Sequence, residues 1–482
     1  MPASQSSSKS VLVFQDLLMD LPAPELAHRV LHEPAPGAAA FINPRDFNFG
    51  LLTAICPPEL VDRVISERGQ AEQRCRRLPA RMMVYAVLFM CVSCLAYQKL
   101  LHHLAPLTVG VSSWQAPNKS SFGRARAKLG WEVMQGLFLA LATPLAGGDE
   151  PWAYWRRRRL VAIDGTSVEL NGELEPDFGG AFRNGARTGS PLLRVAGLVE
   201  CGTRAPLAAE CDRFAVSENV LVERFLSSIV PGMLVLADRQ FLGVRLWKSC
   251  LARGADLLWR ASQGTGKKAI QRLPDGTYLT QITNVQGESV TVRVIEYRLA
   301  GPDAPDTLYR LFTNILDPQA GPATDLARLY RERWEIETCF KELKAVQLRG
   351  GLLRSRTKAG VLQEFWAHLV AYRISREVVY RVARTVPGQD PDCISFSSTQ
   401  QIILRSVVTG VRASAAALGR CLSRAIAELG RARMLLARRH RTSPRMVHHR
   451  QSHYRSRANV SGPRTSARTR NPEVLIQRFA GG

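Results

Sequence analysis

The sequence predicts an α/β protein whose central sheet is preceded by an all-α region, interrupted by a β-rich insertion and followed by further helices. Three observations carry that reading. Between 158 and 261, short apolar and β-branched runs alternate with amphipathic stretches, the texture of strands and helices in a layered sheet. From Pro57 to about Leu145 the apolar spacing is helical throughout. From Gln263 to about Asp317, three segments alternate apolar with polar residues and are parted by Gly, Pro and Asp, as in a small antiparallel sheet.

Residues 1–50 are rich in Pro, Ala and Ser and make an irregular segment without the apolar core of a signal peptide. In the helical region that follows, 51–150, ELVDRVISERG is an amphipathic helix closed by Gly69. LPARMMVYAVLFMCVSCLAYQKLLHHL is a long buried one. Within it the 16 residues from Met82 to Tyr97 carry no charge. A bilayer needs roughly 20, so no membrane partner is expected. The 10 cysteines are scattered apart from Cys91 and Cys94, with no second pair at zinc spacing, and fit a reducing cytoplasm. In PNKSSFGRARAKLG, Ser120 or Ser121 caps a short helix that carries Arg124, Arg126 and Lys128 and ends at Gly130. Such a helix suits a DNA groove; a solvated basic face explains it equally well.

Within 151–385, LVAIDGTSVEL, LLRVAGLVE and PLAAECDRF read as strands and SENVLVERFLSSI as a helix. MLVLADRQF then reads as a buried strand, GVRLWKSCLARG as a helix and ADLLWRAS as a strand. The insertion, about 262–320, holds GTYLTQITNV, ESVTVRVIEYRLA and TLYRLFTNIL. Gly321-Pro322 ends it, and Ala323 to about Val346 reads as one continuous helix. Helices continue through LQEFWAHLVAYRISREVVYRVA and the region 386–437. From Arg438 to Arg470 there are ten Arg, four His and no acid. That composition buries no core, so 438–482 is expected to be a disordered basic tail that adds sequence-independent affinity for DNA.

A net charge of +24 and a pI near 10.2 point to a polyanionic partner, nucleic acid above all. Arg outnumbers Lys 55 to 10. A GC-rich coding sequence explains that ratio as well as phosphate contact does; it does not explain the net charge.

Moving a phosphodiester bond requires an aligned nucleophile, a stabilised leaving oxygen and neutralised charge at phosphorus. Two divalent ions about 4 Å apart supply all three if carboxylates converge to hold them. Asp164 and Asp238 each end an apolar strand, where an acid is unfavourable unless it faces a site. Carboxyl ends of neighbouring strands are where α/β sheets bind ligands. On one α-helix, at about 100° per residue, Tyr330, Arg333, Glu337 and Lys344 fall within a single stripe beside the core face. Glu332, Glu335 and Glu342 then point toward solvent or the far edge of the core. The third acid is therefore expected to be Glu337.

The spacing Tyr330-x2-Arg333-x3-Glu337-x6-Lys344 resembles the signature of the insertion-sequence family four transposases, members of the DDE, RNase H-like superfamily. AIDGT around Asp164 and LADRQF around Asp238 look like that family's two aspartate motifs. The resemblance is strong through 158–370 and continues into 57–145. It implies an RNase H-like core and a β-rich insertion between Asp238 and Glu337. It further implies Mg²⁺ (two ions, Mn²⁺ substituting), cut-and-paste transposition through a hairpin end, inverted-repeat and target DNA, and a synaptic homodimer. Tyr330, Arg333 and Lys344 would hold terminal phosphates, and Trp259 would match a base-stacking Trp. Arg239, Arg354 and Arg356 are further candidate DNA contacts. Two rival readings share parts of this pattern: a DNA-binding protein without cleavage, and an RNase H-like nuclease for structured DNA.

Overall fold

A computed structural model describes residues 48–72, 78–93, 117–431 (except 149, 181, 184–185, 188, 263, 267, 301–306, 350–351 and 411–414) and 473–476. The irregular N-terminal segment up to 47, Cys94 and the basic stretch 432–472 lie outside the described residues.

Along the described chain come helices α1 (Leu51–Ile55), α2 (Pro58–Glu67), α3 (Ala80–Ser93), α4 (Lys119–Leu129) and α5 (Glu132–Leu141). Next are β1 (Arg158–Glu169), β2 (Leu192–Glu200), β3 (Pro206–Arg213), α6 (Glu218–Arg224), β4 (Met233–Ala237), α7 (Val244–Ala252) and β5 (Asp256–Ala261). The insertion contributes β6 (Tyr278–Thr283), β7 (Ser289–Ala300) and β8 (Tyr309–Thr313). Then follow α8 (Ala323–Leu329), α9 (Trp334–Lys341), α10 (Lys358–Ala383), α11 (Phe396–Gly410), α12 (Ala415–Arg431) and β9 (Glu473–Ile476).

Two compact units form, neither continuous in sequence. One holds α1–α5, β2, β3, α6 and the described chain from Glu335 through α12; the other holds the chain from Ile229 to Trp334 together with β9. Strand β1 is divided between them, its residues up to Ile163 in the second and those from Asp164 in the first. It is flanked by β2 on one edge and β4 on the other.

In the first unit α10 is the hub. Thr357 caps it, its side chain accepting from Gly360 N at 3.2 Å. Most of its residues are buried, because helices pack on several of its faces. Trp366 meets Phe138 of α5 at 5.4 Å between ring centroids. Gln363 bridges to α4, donating to Arg126 O at 3.0 Å and Gly130 O at 2.6 Å. Helix α3 is buried almost all round, as its uniformly apolar sequence requires. Helix α4 begins one turn earlier than its serines suggest. Asn118 is the cap, accepting from Ser121 N at 2.8 Å, and Gly130 ends the helix with φ 74°. Asn is as good a cap as Ser, and the first suitable side chain before the turn takes the position.

In the second unit β1, β4 and β5 run parallel and in register, and β4 is buried along its whole length. The insertion adds antiparallel strands on the β5 edge in the order β8, β7, β6. A buried arginine fastens it. Arg293 of β7 donates to Thr277 Oγ1 at 2.9 Å, Asp275 Oδ2 at 2.5 Å and Gly321 O at 2.6 Å. Burial of a guanidinium is tolerable because nearly all its donors find acceptors.

Two expectations are corrected. The tail expected to be disordered contains β9, which pairs antiparallel with β7 from Tyr297↔Ile476 to Ala300↔Glu473. Beyond Arg470 the composition changes: EVLI is apolar and β-branched and offers an edge partner to the far half of β7. The helix expected over 323–346 is not one α-helix. After α8 comes a 3-10 turn, Tyr330–Arg333, then α9, then a π-helical segment, Glu342–Gln347. A 3-10 turn winds faster than an α-helix and a π turn more slowly, so a single 100° step does not describe the segment.

Candidate active site

The two aspartates follow a matched pair of residues. Ile163 of β1 and Ala237 of β4 are register partners, both fully buried, and Asp164 and Asp238 are the next residues in their chains. Burial gives way to partial exposure at both acids. Each carboxylate accepts from the next residue's N–H: Asp164 Oδ1 from Gly165 N at 2.8 Å, within β1, and Asp238 Oδ1 from Arg239 N at 2.7 Å, capping the 3-10 turn Arg239–Phe241.

In the second unit, Tyr330 lies buried with its hydroxyl donating to Ala237 O at 3.1 Å, at the end of β4. Burial pushes its phenol well above the usual range, so it stays a hydrogen-bond donor. Arg333 is buried too, its guanidinium 4.9 Å from the Trp334 ring centroid. In the first unit, Glu337 is half-buried in α9. Lys344 is half-buried and its Nζ donates to Thr166 Oγ1, two residues beyond Asp164 on β1. Burial lowers the Lys344 pKa, opposed by Glu169.

The other nominated residues divide. Arg124 and Lys128 are exposed on α4, Lys128 paired with Glu72 at 3.5 Å. Arg126 is not a surface cation: it is buried, donating to Gln363 Oε1 at 2.6 Å and Ser355 Oγ at 3.0 Å. Its position in the helix turns it inward, where α10 supplies acceptors. Arg126 lines one cavity of about 710 Å³ together with Arg354 and Arg356, both exposed; Arg356 also pairs with Glu173 at 3.6 Å. Arg239 is exposed beside Asp238. Trp259 cannot receive a base as placed. It is fully buried in β5, edge-on to Trp247 at 5.0 Å, because β4 and β8 flank its strand and α7 supplies Trp247.

Glu335 and Glu342, assigned by helix periodicity to solvent or the far edge of the core, are buried around Arg204. Arg204, 2% exposed, donates from Nε to Glu335 Oε2 at 2.5 Å, from Nη1 to Glu342 Oε1 at 2.9 Å, and from Nη2 to Asp392. Tyr372 OH donates to Glu342 Oε2 at 2.7 Å, and Arg376 approaches the same oxygen at 3.5 Å. The three surrounding acids hold the Arg204 guanidinium far above its ordinary pKa despite burial. Local spacing gave no signal for this: the neighbours of the two glutamates at helical spacing include Arg331, Glu332 and Thr338. Among the described residues, no three His, Cys, Asp or Glu side chains are gathered at metal-binding distances. Nor is any described helix long and apolar enough to cross a membrane.

The described chain has a mixed α/β fold in which the parallel neighbours β1 and β4 each run from a buried register partner straight into an aspartate. Residues 46–139 match the model for the insertion element 4 transposase N-terminal region, and residues 155–374 match the transposase DDE domain. The chain belongs to the insertion element 4 family of DDE transposases. It is 28% identical over 407 residues to the transposase InsG for insertion sequence element IS4 of Escherichia coli (strain K12), covering 81% of this chain and 90% of that protein. It is 24% identical over 206 residues to the putative transposase InsZ of the same organism, covering 42% and 68%. A solved cryo-EM structure, a piggyBac transposase synaptic complex with hairpin DNA, covers 75% of this chain and 80% of its own at 10% identity, with a TM-score of 0.42. Family membership makes the chain a transposase, an enzyme that binds DNA and depends on a divalent metal.

Proposed function

We propose that the chain cuts an insertion sequence from one DNA site and joins it to another, with Asp164, Asp238 and Glu337 as its metal-holding carboxylates. The observation that supports this most directly is the register Ile163↔Ala237: two buried parallel neighbours, each followed at once by an aspartate. Carboxylate oxygens are the donors a hard divalent ion takes, so the three acids fit Mg²⁺, with Mn²⁺ as substitute. When bound, a pair of such ions supplies an activated nucleophile and neutralises charge at phosphorus.

The chain's own groups hold the DNA end. Arg333 and Lys344 neutralise non-bridging phosphate oxygens, and Tyr330, already at the end of β4, donates a hydrogen bond. An arriving phosphate favours the charged form of Lys344 and so offsets the depression that burial imposes. Strand cleavage at the transposon end frees a 3′-OH that attacks the opposite strand to close a hairpin; after reopening, the same hydroxyl attacks target DNA. Exposed Arg124, Lys128, Arg239, Arg354 and Arg356 add contacts to flanking phosphates. Two copies pair the two inverted-repeat ends, at the nucleoid of a bacterial cell.

The test is purified protein with Mg²⁺ and duplexes ending in the terminal inverted repeats that flank the gene, against scrambled ends of equal length. Nicking and hairpin formation confined to the repeat ends is expected. Binding without cleavage in either Mg²⁺ or Mn²⁺ would make the chain a DNA-binding protein only, and cleavage of branched DNA irrespective of repeats would make it a structure-specific nuclease. Within this scheme Lys344→Ala lowers hairpin closure by about tenfold or more, and lowers the first nick much less. Single-turnover gels that show equal loss in both steps contradict the phosphate-holding role.

A further inference from the structure

Glu218, the first residue of α6, fills the space that a side chain at position 165 would enter. A Cβ built on Gly165 meets the Glu218 carboxyl carbon at 2.0 Å and its two oxygens at 2.1 and 2.5 Å, and these are its three nearest heavy atoms. Gly165 N donates to Asp164 Oδ1 at 2.8 Å. The glycine is thus held at its N–H by one carboxylate and covered at its Cα by another. Glu218 is itself held: Arg194 of β2 donates from Nη1 to Glu218 Oε1 at 3.3 Å. That guanidinium lies 4.1 Å from the Phe214 ring centroid. Both side chains are largely withdrawn from solvent, 17% and 11% exposed.

We propose that Glu218 is a positioning residue for Asp164: anchored by Arg194, its carboxyl group clamps the Gly165 peptide and so fixes the direction in which the Asp164 carboxylate leaves β1. The proposal rests on the reading of Asp164 as a metal-holding acid. The physical need is plain. A metal ligand works within a fraction of an ångström of its productive position, and the groups that orient ligands matter nearly as much as the ligands. A glycine after the acid leaves that peptide free to turn unless something packs on it, and Glu218 is what packs on it. The arrangement also explains why a small residue stands at 165.

The geometry supplies its own probe. Gly165 does not sit in the left-handed region, and the three atoms an alanine there would meet first all belong to the flexible end of Glu218. Gly165→Ala therefore folds and expels the carboxyl group. Gly165→Ala and Glu218→Ala are each expected to raise the Mg²⁺ concentration for half-maximal end cleavage by about tenfold or more. Calorimetric Mn²⁺ binding to the full-length protein should weaken by the same factor. The double variant is expected to be no worse than Glu218→Ala alone, since both changes remove one clamp. Glu218→Gln, which fills the same space and still accepts from Arg194, should restore the parent response. An unaltered metal response in Glu218→Ala, additive effects in the double variant, or a glutamine variant as impaired as the alanine one would each overturn the clamp. Normal cleavage by Asp164→Ala would instead overturn the underlying reading of the site.

Discussion

Alanine at Asp164, Asp238 or Glu337 is expected to lower Mg²⁺-dependent end cleavage at least about 10³-fold while leaving DNA binding measurable. The separation follows from where the residues lie. All three are only half-buried, and Asp164 and Asp238 each accept from the N–H of the next residue. Loss of such a bond costs about 1 kcal/mol, well within the stability of a folded domain. The phosphate contacts that give binding belong to other side chains. A second readout comes from linkage: a ligand that binds only the folded state stabilises it. Millimolar Mg²⁺ or Mn²⁺ should therefore raise the melting temperature of the parent protein and leave that of the three variants nearly unmoved. Normal cleavage by any one variant removes that residue from the site.

The second large effect concerns folding. Arg204→Met strips the cation from the buried carboxylates of Glu335, Glu342 and Asp392, of which Glu342 keeps Arg376 and Tyr372. Breaking a buried ion pair from one side destabilises by about 3–5 kcal/mol, a large part of the stability of any domain. Arg204→Lys should fail nearly as badly, because one ammonium cannot serve three carboxylates that a planar guanidinium reaches in three directions. Glu342→Gln should be mild, since its amide oxygen still accepts from Tyr372. Urea unfolding measures all three. A change below about 1 kcal/mol for Arg204→Met would show that water or a rearranged Arg376 replaces the lost cation.

The strands and the small antiparallel insertion were legible because burial on both faces writes continuous apolar runs, and half-burial writes alternation. LVAI and MLVLA announced β1 and β4, and each run broke at an aspartate where the structure turns from core toward solvent. The signature segment was less legible. Its spacing assumed uniform α-geometry, whereas a 3-10 turn, an α-turn and a π segment succeed one another there. The burial of Glu335 and Glu342 is tertiary: Arg204 arrives from a loop 131 residues before Glu335, and no local pattern reveals it. The same holds for Arg126 and Trp259. The basic helix nominated the first as a DNA contact and the family resemblance the second, and long-range packing withdrew both.

The pairing of β9 with β7 gives the end of the described chain a duty apart from charge: Glu473–Ile476 completes an edge of the insertion's sheet. Cutting the chain at 438 would unzip an edge of the sheet as well as discard the charge. The electrostatic contribution is therefore separable only by exchanging arginines for neutral residues while keeping Glu473–Ile476 in place.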